Sequence, residues 1–169
     1  MATRKKAITR KATPGRTTAR VKTPRVKPDP RNLVIENNPV MQGGMPQALG
    51  MRVISLTLKK VVGEMDIMPL HMNRSGGVNG GAIMAFADAL GAVGAVANRP
   101  PGYRGGTIES KTNFFAAGVG PVLKAVSVAL HIGRTTSVWE TTIRNADGRM
   151  VAIVTQTQIS VPTRGDGAQ

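Results

Sequence analysis

The 169-residue chain contains no cysteine. That excludes disulfides and thiolate metal sites, and it makes an intracellular, cytoplasmic location the expectation. Histidine is almost as scarce: His71 and His131 are the only two, too far apart for a metal cage set by spacing. Aromatic side chains make up 3% of the residues, too few for the stacking platforms of a single-strand nucleic-acid binder. No apolar run follows the first residues, so no secretory signal is expected. Residues 81–97 are apolar, but they are mostly small and are interrupted by Asp88, which suits a core helix better than a membrane span.

Acidic residues are also few, nine against 23 Lys+Arg, for a net charge of +14. The imbalance is local. Residues 1–31 hold eleven of the basic residues and a single acid, Asp29, so the remaining body is only mildly basic. Rich in Arg, Lys, Thr, Ala and Pro and without apolar periodicity, this segment cannot offset its ordering entropy and is expected to be a disordered basic extension. A solubilising tail, an electrostatic arm for nucleic acid or an anionic surface, and an organelle-targeting peptide all fit its composition. One domain is expected over residues 32–163, with a frayed tail at 164–169.

The body is organised around one stretch. Gly80 to Asn98 has no proline and is stopped by Pro100-Pro101, so it reads as a single helix of roughly 28 Å. Eleven of its nineteen residues are Gly or Ala, and a helix apolar all round is expected to be buried. Before it, residues 32–50 suggest a loop with a short helical turn. Arg52–Leu58 and Val61–Met68 read as strands, with Gly63 as a turn or bulge between or within them. After it, Tyr103–Thr107 reads as a turn and Thr107–Phe115 as a strand. Val122–Ile132, Thr135–Arg144 and Met150–Val161 follow with short connections, the sign of an antiparallel meander. An α+β architecture follows: about six antiparallel strands wrapped around one long central helix.

Asp88 is the one charge in that helix, and its helical neighbours Met84, Ala85, Gly91 and Ala92 include no donor. A buried carboxylate without a partner is costly, which points to chemistry. At the helix start, Gly80 and Gly81 present bare backbone N–H groups suited to an anion or a developing oxyanion. These two features lie roughly 12 Å apart along the axis and about 80° around it, too far for one substrate atom. Two antiparallel copies across a two-fold axis would unite them, so a dimer or dimer of dimers with shared sites is expected. A structural acid and a simple close-packing glycine pair remain open as the plainer reading of both features.

The string Asn73-Arg-Ser-Gly76-Gly77-Val-Asn79-Gly80-Gly81, with Asp88 following on the helix, resembles the hotdog-fold acyl-CoA thioesterases of the phenylacetate-degradation type. Their pattern is N-x-x-G-x-x-H-G-G followed by a helix bearing an acid. The resemblance runs from about Gly50 to Val161. It implies a hotdog fold and hydrolysis of an acyl-CoA, with Asp88 as nucleophile or general base. It further implies that the Gly80 N–H polarises the thioester carbonyl, that Asn73 orients water or carbonyl, and that Thr107 faces Asp88 as a hydroxyl partner. Gly81, Phe114, Gly133, Arg134 and Thr135 would contact the substrate, Arg134 through a coenzyme A phosphate. No cofactor is implied, because coenzyme A is part of the substrate. The chain departs at Asn79, where the family usually has His; an amide can donate to a carbonyl but cannot carry a proton.

Met65, Met68, Met84 and Phe114 are the expected pocket walls, fitting an aromatic or short- to medium-chain acyl group. Two other functions remain open: a non-hydrolytic acyl-CoA or small-acid binder on the same fold, and a nucleic-acid binder working through residues 1–31.

Overall fold

The computed structural model describes residues 40–163; the basic extension and the C-terminal tail expected from the sequence lie outside them. A short helix α1 (Gly44–Ala48) precedes strands β1 (Met51–Leu56) and β2 (Lys60–Asp66). A single 3-10 turn (Pro69–His71) leads to the long helix α2 (Gly80–Ala97), and β3 (Tyr103–Phe114), β4 (Val122–Ile132), β5 (Thr136–Asn145) and β6 (Met150–Pro162) complete the chain. The strands form one sheet in the order β1-β2-β4-β5-β6-β3, and every neighbouring pair is antiparallel. This is the α+β architecture that the sequence pattern and the resemblance both imply.

Local chemistry sets the ends of α2. The Asn79 side chain accepts a hydrogen bond from the Gly81 N–H at 2.8 Å, capping the first turn. At the other end Asn98 Nδ2 donates to the Gly94 carbonyl and to Leu58 between β1 and β2, each at 2.8 Å. That amide ties the helix end to the sheet as well as closing its last turn. Between them Phe86, Leu90 and Val93 are fully buried against Val61 and Met65 of β2, Leu123 of β4, Trp139 and Ile143 of β5 and Val154 of β6. Each such side chain contributes roughly 1.5–3 kcal/mol by leaving water.

Three expectations are corrected. The helix is not buried all round: the flank carrying Gly81 and Met84 is exposed, because the sheet covers one side of α2 and the edge strand β3 does not reach around it. Gly63 is neither a turn nor a bulge. It pairs with Val53 in mid-strand, and a Cβ there would lie 2.6 Å from Leu90 Cδ2 and 3.0 Å from the Arg52 carbonyl, so glycine lets the helix sit down on β2. The irregularity belongs to β1, between Val53 and Ser55. Tyr103–Gly106 is not a turn but the first part of β3, in register with β6 from Pro162 inward. One residue bulges out of β3 between Thr107 and Glu109.

Candidate active site

The loop before α2 is a small hairpin closed by main-chain bonds. Met72 and Val78 form an antiparallel bridge, and the Asn79 N–H donates to the His71 carbonyl at 2.7 Å. At its tip Asn73 Oδ1 accepts from the N–H groups of Ser75 and Gly77, at 2.8 and 3.2 Å. The carbonyl oxygen of Asn73 therefore shapes its own loop, leaving the amide NH₂ as the group that can orient a ligand. Asn79 is similar: its oxygen caps the helix, and only its NH₂ is available to a carbonyl. The Gly81 N–H is taken by that cap, whereas the Gly80 N–H has no acceptor among the described residues. Of the expected glycine pair, Gly80 is the one that offers a donor.

Phe114, at the inner end of β3, lies over this helix start. A Cβ on Gly80 would be 3.2 Å from the Phe114 ring, so the aromatic edge and the free N–H share one opening. Phe114 is half-exposed there, and Met84, one turn along the helix, is exposed as well. Met65 is not part of any such wall, being fully buried in the core. Met68 packs its methyl near Gly50 instead, within 3.2 Å of where a Cβ would be.

Asp88, two turns along α2, is half-buried rather than enclosed, and it has partners its own helix could not supply. The Thr107 hydroxyl on β3 donates to Asp88 Oδ1 at 2.6 Å. Gln156 Nε2 on β6 reaches the Asp88 carbonyl at 3.3 Å and Oδ1 at 3.4 Å. Behind Thr107, Gln158 Nε2 donates to its oxygen at 2.7 Å. The pairing register places Gln158 opposite Thr107 and Gln156 opposite Ser110, so this polar face of β3 and β6 looks toward the helix. Both glutamines are buried, and Gln156 lies directly against the space where Gly91 lacks a side chain.

Sequence reasoning missed Gln156 and Gln158. Their signal was present: they share β6 parity with the core residues Ala152 and Val154, so they had to point inward. His71 was also passed over. It is buried, its Nδ1 accepts from the Met68 N–H at 3.1 Å, and burial holds its pKa below the ordinary histidine value.

The turn Gly133–Thr135 is exposed and belongs to the opposite end of the sheet. Its Thr135 carbonyl accepts from Ser160 of β6, whereas Phe114 pairs with Ala152 of the same strand. Eight residues of strand, about 26 Å, separate them. A single chain therefore brings together Asn79, Gly80 and Phe114 at one place and Asp88 with Thr107 at a second, with Asn73 at the tip of the hairpin before the helix. The turn carrying Arg134 lies toward the second of these, since Ser137 just after it and Thr107 both pair with Gln158 of β6. No group of three His, Asp or Glu side chains able to hold a metal occurs among the described residues.

Comparison with known proteins bears on this arrangement. The thioesterase superfamily model matches residues 75–152, which span the helix start, Asp88, Thr107 and the β4–β5 turn. A 1,4-dihydroxy-2-naphthoyl-CoA hydrolase of Listeria monocytogenes is 24% identical over 110 residues, covering 65% of this chain and 89% of the relative. A hypothetical thioesterase of Streptococcus pneumoniae, solved with coenzyme A, is 26% identical with a TM-score of 0.61, over 68% of this chain and 88% of that one. The PaaI protein of the Escherichia coli phenylacetic acid degradation operon aligns with a TM-score of 0.64 at 22% identity, over 75% and 86% of the two chains. The fold is the hotdog fold, and the resemblance read around Asn73–Asp88 is borne out at the level of the family.

Proposed function

We infer that this chain, a hotdog-fold protein matched by the thioesterase superfamily, is a thioester hydrolase acting on an acyl-CoA. One observation carries the reading: an ionisable Asp88 with a hydroxyl donor on one carboxylate oxygen, on a helix whose first N–H, at Gly80, has no acceptor among the described residues. The Gly80 N–H polarises the thioester carbonyl and stabilises the oxyanion that develops there. Asp88 attacks that carbon directly or takes a proton from the water that does. The carbon–sulfur bond then breaks; in the direct route water hydrolyses the resulting acyl–Asp88 anhydride, and in both routes the proton released by that water ends on the departing coenzyme A thiol.

Because the two groups are remote on one helix, the working site combines Asp88 of one copy with Gly80 of another. The open flank of α2 and the exposed edge strand β3 support this assembly. The name of the Listeria relative and the aromatic edge of Phe114 at the opening favour an aromatic acyl group. On this reading Arg134 and its turn meet the nucleotide part of coenzyme A, no cofactor takes part, and the cytoplasm is the place of action.

A second reading has its own observation. With the Asn79 oxygen committed to the helix cap and no imidazole at that position, the site holds an acyl-CoA without cleaving it. Thiol release from aromatic, short- and medium-chain acyl-CoAs by the purified protein separates the two. Release from at least one class sustains the hydrolase, and saturable binding without release leaves only the binder.

A further inference from the structure

We propose that Gln158 is a positioning residue for Asp88, acting through the Thr107 hydroxyl to set which carboxylate oxygen is free to react. The inference rests on the reading of Asp88 as the reactive acid, and it follows from where the protons must lie. The side-chain NH₂ of Gln158 can only donate, and an ionised carboxylate can only accept. Thr107 stands between them, 2.7 Å from Gln158 Nε2 and 2.6 Å from Asp88 Oδ1. Its single proton therefore points to Asp88, and its lone pair receives Gln158. The opposite orientation of the Gln158 amide would draw the hydroxyl proton away and leave two oxygens at 2.6 Å with none between them.

The chain of donors is directional, and each bond polarises the next. Its end is Oδ1, which also receives Gln156 Nε2 at 3.4 Å. Oδ2 receives no hydrogen bond among the described residues. Oδ1 is thus the anchored oxygen and Oδ2 the one left for water or the thioester carbon. Gln158 never meets substrate. Its 1% exposure places it behind the hydroxyl, inside the protein.

The charged groups nearest this end of β3 are Arg104 on the strand itself and the Arg99 guanidinium beside Gly105. Neither α2 nor β6 carries another charged residue. On β3, Glu109 and Lys111 are in register with Thr157 and Thr155, on the face of the sheet turned away from the helix, and Glu109 accepts there from Thr157.

The test compares wild type, Q158M, T107V and the double variant. Methionine keeps the volume of Gln158 and removes its donor. In the wild type the Thr107 hydroxyl proton is expected to exchange slowly with solvent, and Q158M is expected to speed that exchange by removing the donor that fixes the hydroxyl. On the best thioester kcat is expected to fall about tenfold with KM unchanged. In the T107V background Q158M is expected to add no further loss of kcat. An unchanged Thr107 hydroxyl exchange in folded Q158M, or losses that multiply in the double variant, overturns the proposal. A lower melting temperature with neither change has the same meaning. If Q158M does not fold, the wild type decides: a slowly exchanging Thr107 hydroxyl proton with cross-peaks to the Gln158 amide supports the relay, and its absence refutes it. Failure of the wild type to cleave any thioester removes the hydrolase reading, while the hydroxyl exchange still decides the role of Gln158.

Discussion

Gly94 and Trp139 meet so closely that a single methyl on the glycine would lie 2.5 Å from Cη2 of the indole. Trp139 is the largest fully buried side chain among the described residues, and it is held in β5 with its Nε1 donating to Ser137 Oγ at 3.1 Å. The ring cannot retreat without losing that bond. Gly94→Ala is therefore predicted to destabilise the protein by about 1–3 kcal/mol, lowering the melting temperature by several degrees. Gly106→Ala, where nothing lies within 4 Å of the new methyl, is expected to change stability by less than about 0.5 kcal/mol. Thermal melts of the pair check both values; equal melts would show that the Trp139 contact relaxes freely.

For Asp88, replacement by Asn keeps an oxygen for Thr107 and removes the charge. We predict a loss of at least about a hundredfold in turnover, the lower end of what positioned acid–base groups supply. Melting temperature should be unchanged or raised, since a charge retained in an apolar helix for activity opposes stability. Turnover and melting measured on one preparation decide it. Normal turnover with earlier unfolding would make Asp88 a structural acid.

Gly80 occupies the first helical position, where proline is tolerated and removes only the N–H. Its added ring atoms meet the far edge of Phe114, a side chain free to shift. Gly80→Pro and Asp88→Asn are each expected to be inactive alone. Mixed and refolded, they should regain activity in heterodimers, because one of the two shared sites then has both groups intact. Heterodimers that form and remain inactive would place the whole site within one chain.

His71 gives a prediction about pH. Burial lowers its pKa in the folded protein, so the unfolded chain takes up the proton first as pH falls. Its contribution to stability is full above about pH 6.5, the ordinary histidine value. It declines as pH falls from there toward the lowered folded value. Protonation would also end the acceptance of the Met68 N–H by Nδ1. His71→Asn, which retains an acceptor but no titrating group, should flatten the stability profile between pH 7 and 5. Denaturant unfolding of both proteins across that range is the measurement, and parallel profiles would refute the assignment.

A protein beginning at Asn32 is expected to keep the melting temperature and turnover of the full chain, because residues 1–31 concentrate charge and lack an apolar pattern with which to dock. A large loss of either would show that the extension belongs to the folded unit.

Much of this was legible in the sequence for stated physical reasons. The Gly/Ala run and Pro100-Pro101 bound α2 within a residue of its observed end, alternation marked β4, and short connections between β-branched runs marked β5 and β6. The start of β3 was not legible, because Gly105-Gly106 carries the composition of a turn. Gly105 is glycine for another reason: the Ile159 carbonyl of β6 occupies the place of its side chain, with the Arg99 guanidinium beside it. Periodicity also assigns a residue to a face without saying what lies across from it. The inward parity of Gln156 and Gln158 was available, but their meeting with Asp88 and Thr107 depends on the pairing of β6 with β3 and on how α2 lies over both. The exposed flank of α2 could not be told from a buried one, since alanine and glycine suit either.

The one-residue bulge in β3 acts as a change of reading frame. Before it, Thr107 opposite Gln158 faces the helix; after it, Ser110, Thr112 and Phe114, opposite Gln156, Val154 and Ala152, face the same way. If Ile108 took a regular place in the ladder instead of bulging out, the inward positions would fall on Glu109, Lys111 and Asn113, placing two charges against the apolar helix. The strand thus consists of two halves that tolerate substitution separately but are locked to each other in phase. Deleting Ile108, an exposed side chain whose replacement should matter little, would leave a regular ladder in which the hydroxyl beside Asp88 and the ring beside Gly80 both still face the helix. What matters at that position is that the residue stands outside the ladder, not which side chain it carries.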